Sequence, residues 1–205
     1  MKKSTITWIV VVVILVILCG TGCSRYNSMV ESQQTVEQAW GNVQTAYQRR
    51  SDLIPNLVAT VKGYASHESQ TLEAVTNARA GLLNASSAAD SLASHGQAVP
   101  TEEGMKRFQD AQRNLNSALN VYVNAVREAY PDLKANENFR DLQTQLEQTE
   151  NRISTERRRY NDVVRPYNTM IKKFPNNIFA GFFGFEQKPY YEADATAQSA
   201  PQVQF

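Results

Sequence analysis

The chain reads as an all-α protein, with an N-terminal membrane-anchor helix followed by an elongated antiparallel four-helix bundle. Three observations predict this. Apolar residues recur at three- and four-residue spacing over most of the chain after residue 25, with no alternating strand pattern. Breakers are scarce, at 9 Gly and 7 Pro in 205 residues, against average usage of roughly 7% and 5%. Ser4 to Ser24 carries no charged residue.

The anchor comes first. Met1-Lys2-Lys3 precedes an apolar run from Ile6 to Leu18 broken only by Thr7, and Cys19-Gly20-Thr21-Gly22-Cys23 follows. As a helix, Ile6 to Cys23 would cover about 27 Å at ~1.5 Å per residue, enough to cross a hydrocarbon core of about 30 Å. Basic residues at the extreme start orient it with the N-terminus in the cytoplasm and the bulk of the chain outside the bacterial cell membrane. Two fates are open for residues 1–24. A retained anchor treats both cysteines as small apolar residues, whereas a lipoprotein-type signal would be cut before Cys23, which then receives lipid. Gly22 and Thr21 fit that signal and Gly20 does not. Both cysteines of the chain lie in this segment, so the exported domain holds no disulfide.

Four amphipathic segments follow. Tyr26, Gln33, Trp40 and Tyr47 form one row of the first, with Met29, Val36 and Val43 beside it. The second carries Ile54, Val61, Glu68, Val75 and Leu82, with Val58, Ala65 and Leu72. Ser51 or Asp52 is placed to cap it, with Pro55 in its first turn, so a helix 1–helix 2 turn is predicted at Arg49 to Asp52. After a loop at Asn84 to Gly104, rich in Ala and Ser, Thr101 caps the third. Its rows are Phe108, Leu115, Tyr122, Ala129 and Met105, Leu119, Val126. Tyr130-Pro131 ends it, because proline disfavours helical geometry in the residue before it. Asn136 caps the fourth, whose row is Phe139, Leu146, Ile153, Tyr160, Tyr167 and Phe174, with Leu142, Val163 and Met170 alongside. Pro166 removes one hydrogen bond there and predicts a kink. Such stripes bury one another most economically in a bundle packed at roughly 20°. The bundle spans residues 25–174. Residues 175–205 form a Phe-rich segment, which either folds back on the bundle or stays exposed, and a disordered tail.

Composition excludes several functions. The formal charge is +1, and after residue 24 the chain carries 19 Lys+Arg against 20 Asp+Glu, so no basic excess points to nucleic acid. His67-Glu68 lacks a second histidine four residues on, since position 71 is Thr71, and His95 stands alone. No metal or cofactor is expected. Glu147, Glu150 and Glu156 with Arg157-Arg158-Arg159 read as charge pairs along an exposed helix face. Nothing resembles a catalytic constellation.

The chain resembles the LemA family. The resemblance rests on Ala39-Trp40, Arg49-Arg50-Ser51-Asp52-Leu53-Ile54-Pro55-Asn56-Leu57-Val58, Val61-Lys62-Gly63-Tyr64-Ala65, Tyr130-Pro131-Asp132-Leu133-Lys134-Ala135-Asn136, Thr149-Glu150-Asn151-Arg152-Ile153, Arg159-Tyr160-Asn161 and Phe174-Pro175. It implies a membrane-attached bacterial protein with an exported helical bundle, and it carries over no catalytic residue. The expected function is that of a non-enzymatic envelope scaffold or adaptor for an unidentified protein partner. The rival is a ligand sensor or enzyme using Arg49, Arg50, Asp52, Tyr64 and Glu68 near the helix 1–helix 2 turn.

Overall fold

The structure, a computed structural model, describes residues 3–65, 77, 80–81, 83–84 and 99–192, without the side chains of residues 3–7, 9–11, 13–19, 21 and 65. Among the described residues the regular elements are all helical: α1 (Lys3–Ala65), α2 (Glu102–Ala129), a short 3-10 helix (Pro131–Ala135), α3 (Glu137–Lys172) and α4 (Asn176–Phe183). Glu68, His67, His95, most of the expected second helix beyond Ala65, most of the Asn84 to Gly104 loop and the tail after Glu192 lie outside the described residues. No helix among the described residues is long and apolar enough to cross a membrane.

The expected turn at Arg49 to Asp52 does not form. α1 continues through Ser51, Asp52 and Pro55 to Ala65. One buried stripe explains this: Val43, Ala46, Tyr47, Arg50, Leu53, Ile54, Leu57, Val58 and Val61 all face the interior, while the Pro55 ring faces outward. An interior proline costs a helix about 3 kcal/mol, but burying one Leu or Ile side chain returns roughly 1.5–3 kcal/mol, and several lie beyond it. Asp52 does not cap anything; its Oδ1 accepts from Gln48 Nε2 at 2.9 Å on the helix surface. The first half of the expected second helix thus extends the first rather than doubling back.

The other boundaries follow their signals. Thr101 Oγ1 accepts from the Gly104 amide and Asn136 Oδ1 from the Phe139 amide, capping α2 and α3. Gly104, expected in the loop, is already inside α2. Tyr130 leaves helical geometry before Pro131. α3 runs through Pro166 as a single helix. Aromatic contacts fix directions: Phe108 packs on Trp40 and Tyr47, and Tyr130 on Tyr64, so α2 runs parallel to α1. Tyr160 also meets Trp40, so α3 runs antiparallel to both.

The core has two apolar compartments. One joins Leu53–Val61 of α1 to Leu115–Tyr130, Leu133 and Phe139–Leu146. The other joins Met29–Tyr47 to Met105, Phe108, Ile153–Ile171, Ala180 and Tyr191. Arg50, Ser51, Gln112 and Thr149 are buried polar residues where they meet, and Gln109 and Glu156 are buried beside Phe108 and between Ile153 and Tyr160 of the second. In α3 the row from Phe139 to Tyr167 is buried as expected, but Phe174 is 81% exposed, beyond the helix end. Its companion row steps from Leu142, Thr149 and Glu156 to Val164 and Ile171, leaving Val163 and Met170 only partly buried. A straight helix drifts about 20° per heptad, so five heptads shift the buried face by about one residue.

Candidate functional site

Arg50 sits where the two compartments meet. Placed by α1 on its buried stripe, it is 2% exposed. One guanidinium nitrogen donates to Glu150 Oε2 on α3 at 3.0 Å. Another donates to Gln112 Oε1 on α2 at 2.5 Å and to the Gln112 carbonyl at 3.4 Å. The cation lies 5.1 Å from the centroid of the Tyr47 ring. A single side chain therefore ties three helices, and charge-assisted bonds of this kind are about twice as strong as neutral ones. Arg50, expected among the polar residues of a helix 1–helix 2 turn, is instead buried between three helices.

The structure does not gather the other predicted residues around it. Arg49 and Asp52 are exposed on α1 and Tyr64 is half-buried, its ring 6.1 Å from that of Tyr130. Cys23 is a free, exposed thiol within α1. Of the basic triplet, Arg159 pairs with Glu156 one turn earlier at 3.0 Å, and Arg157 stacks over Tyr191. Among the described residues no three His, Cys, Asp or Glu side chains cluster as metal ligands.

A groove of about 470 Å³ opens between α2 and α3, lined by Arg50, Asn120, Arg127, Arg140, Gln143 and Glu147 among others. Among the described residues, Arg50 Nε and Gln143 Nε2 are buried donors without a protein acceptor. Charges of both signs line it, Arg127 from α2 and Arg140, Glu147 and Glu150 from α3. Its described lining offers polar contacts through amides, guanidiniums and carboxylates.

A second polar array, missed by the sequence reasoning, lies along the face of α3 that carries the buried Tyr160 and Tyr167. After α4 the chain runs back along α3 in extended form, and α3 holds it by its main chain. Tyr167 Oη donates to the Glu186 carbonyl at 2.9 Å, and Asn168 both donates to the Lys188 carbonyl and accepts from its amide. Tyr160 Oη donates to the Pro189 carbonyl, and Asn161 brackets Tyr191 in the same way. The Tyr191 ring is buried beneath Arg157, 4.4 Å away, and its hydroxyl meets that of Tyr47 at 2.9 Å. Burial pushes the hydroxyls of Tyr47 and Tyr191 above the ordinary tyrosine pKa, and that of Tyr160 likewise. The available signal was the repeated Tyr-Asn pair at 160–161 and 167–168.

At the foot of the bundle α4 leans on α1. A Cβ at Gly22 would stand 3.3 Å from the Phe179 ring, and Tyr26 packs edge-on against Phe183 at 4.8 Å and Phe185 at 5.7 Å. The Phe-rich segment therefore divides. Ala180 and Tyr191 are buried, while Phe174, Ile178, Phe182 and Phe183 face outward, Phe182 at 83%. Lys172 and Lys173 are exposed beside them.

The sequence model of the LemA family matches residues 39–205. Magnetosome protein MamQ 2 of Paramagnetospirillum magneticum is 27% identical over 193 residues, covering 90% of this chain and 71% of that protein. Magnetosome protein MamQ of Magnetospirillum gryphiswaldense is 25% identical over 201 residues, 92% and 74% of the two chains. Protein LemA of Metamycoplasma hominis is 28% identical over 156 residues, covering 76% and 64%.

Proposed function

The chain belongs to the LemA family, and on that premise we propose that it is a membrane-attached, extracytoplasmic helical-bundle protein that serves as a non-enzymatic scaffold or adaptor. The supporting observation is the foot. Phe174, Ile178, Phe182 and Phe183 are exposed at the end of the bundle where α1 passes Gly22 and Tyr26, directly after the apolar run from Ile6 to Leu18. Water penalises such a cluster, whereas the interfacial layer of a bilayer accepts it, with lysines reaching the headgroups. α1 joins the run to the bundle without a break at Gly20 to Cys23, which supports a retained anchor over cleavage and lipidation at Cys23. The interior supports a scaffold: the buried Arg50 ties α1 to Gln112 of α2 and Glu150 of α3. The relatives named for the magnetosome support a role in a larger assembly.

The test uses the chain's two tryptophans, Trp8 and Trp40. In vesicles with brominated acyl chains, Trp8 of the W40F chain is quenched, and Trp40 of the W8F chain, 2% exposed in the core, is not. The indole introduced by F182W in a W8F/W40F background is quenched too. An unquenched Trp8 rejects the anchor; a quenched Trp8 with an unquenched F182W indole rejects only the foot. Mass spectrometry of the mature N-terminus separates an intact start from a lipidated Cys23. The ligand-sensing alternative rests on the groove between α2 and α3, with its two unaccepted donors. A panel of small anions that leaves the melting temperature unchanged removes it.

A further inference from the structure

The contacts between α3 and the 186–192 segment repeat. The pair Tyr167-Asn168 takes the Glu186 carbonyl with its hydroxyl and both main-chain groups of Lys188 with its amide. Seven residues earlier, Tyr160-Asn161 does the same to Pro189 and Tyr191, three residues later. The lengths explain why the two periods agree. Seven helical residues rise about 10.5 Å, and three extended residues span about 10 Å, so an extended chain antiparallel to the helix stays in register over both steps.

We infer that the two Tyr-Asn steps of α3 form a peptide-backbone reader for the 186–192 segment, and that it takes the segment of a second copy in exchange for its own. Six residues are read, because the neighbouring registers, Ile153-Ser154 and Phe174-Pro175, carry no such pair. Within those six the first and fourth residues give only a carbonyl, so proline fits at Pro189 without losing a bond. The third and sixth are bracketed through both main-chain groups. Side-chain selection falls on the sixth: Tyr191 is buried under Arg157 with its hydroxyl on Tyr47. The segment leaves α4 through Gly184, whose φ of 75° gives the chain its sharp reversal. Beyond that tether it is held by groups that any copy of the same segment would satisfy equally, which is the condition for a reciprocal two-fold exchange. The inference does not depend on membrane attachment.

The probe is a fluorescein-labelled peptide of residues 185–192 added to the full-length chain in detergent micelles, read by anisotropy. In the wild-type chain the tethered segment competes at an effective concentration on the order of millimolar, so the peptide binds weakly. The Y191A chain vacates the sixth position and binds it at least tenfold more tightly, and N161A with N168A in that background abolishes the gain. A Y191A chain that binds no better, or binding that ignores the two asparagines, overturns the reader. Should Y191A fail to melt cooperatively, hydrogen exchange on the wild-type chain decides. The amides of Lys188 and Tyr191 exchange more slowly than those of Gln187 and Tyr190, and N168A releases Lys188; equal rates for all four overturn it. Exchange between copies is tested by mixing a tagged Y191A chain, whose groove is intact, with an N161A/N168A chain, whose segment is intact. Capture of the second by the first supports exchange, and absence of capture overturns it.

Discussion

Arg50 shows how one buried charge can join elements without doing chemistry. Its side chain is 3% exposed and that of its partner Glu150 is 44% exposed, so the two ends of the pair are solvated unequally. Breaking a fully buried pair costs about 3–5 kcal/mol; the water around Glu150 lowers that. R50A should destabilise the bundle by about 2–3 kcal/mol in urea titration, and E150Q, which keeps an acceptor oxygen, by about 1 kcal/mol. Equal losses would show that the charge on Glu150, rather than the donor Arg50, matters. The buried tyrosines predict a pH response of definite sign. Tyr47 and Tyr191 have hydroxyl pKa values raised first by burial, and Arg157 only partly opposes this. The neutral forms are therefore favoured in the fold. Stability is complete below the unfolded value of about 10 and is lost as pH rises above it toward the raised folded values. Melting temperature should fall above about pH 10, together with the rise of tyrosinate absorbance, and less steeply in Y191F.

At the scale of elements, the caps and stripes were legible because they are local. Thr101, Asn136 and the break before Pro131 act through neighbours within four residues. The turn at Arg49 to Asp52 was misread because Ser51, Asp52 and Pro55 carry the same local signature as a helix start, and only the partners α2 and α3, distant in sequence, decide that the buried face runs on. Pro55 then sits in α1 as an exposed interior proline. P55A should restore a hydrogen bond and remove a clash worth about 3 kcal/mol, offset by about 0.4–1 kcal/mol from a looser unfolded chain. A net gain of about 2 kcal/mol in chemical denaturation is expected. A loss instead would mean that α1 needs the local geometry proline imposes. The 186–192 segment was illegible for the opposite reason. An extended strand held by its main chain has no hydrophobic period of its own, and its partners Asn161 and Asn168 look like ordinary polar positions on a helix. The exposed half of the Phe-rich segment was legible as composition but not as placement, since the packing of Phe179 by Gly22 and of Phe183 and Phe185 on Tyr26, distant in sequence, sets it at the foot.

For the whole molecule, α1 is the ruler. Its 63 residues extend about 94 Å at ~1.5 Å per residue, and the same helix carries the apolar run, the contact with α4 and both core compartments. If the apolar run is embedded as proposed, the height of the foot relative to a bilayer is set by the number of helical residues between that run and Gly22. On the membrane-standing arrangement proposed here, inserting seven polar helix-forming residues between Gly20 and Thr21 keeps the Gly22–Phe179 contact. It turns the bundle by only about 20° and lifts it by about 10.5 Å. Interfacial helices sit roughly 5–10 Å into the headgroup and acyl boundary, so that lift removes α4 from the layer. Quenching of the F182W indole by brominated lipid should fall to the level of Trp40, while Trp8 stays quenched and the melting temperature is unchanged. Retained quenching of the F182W indole after the insertion would mean that the bundle tilts or bends to reach the bilayer, and that α1 does not set its height.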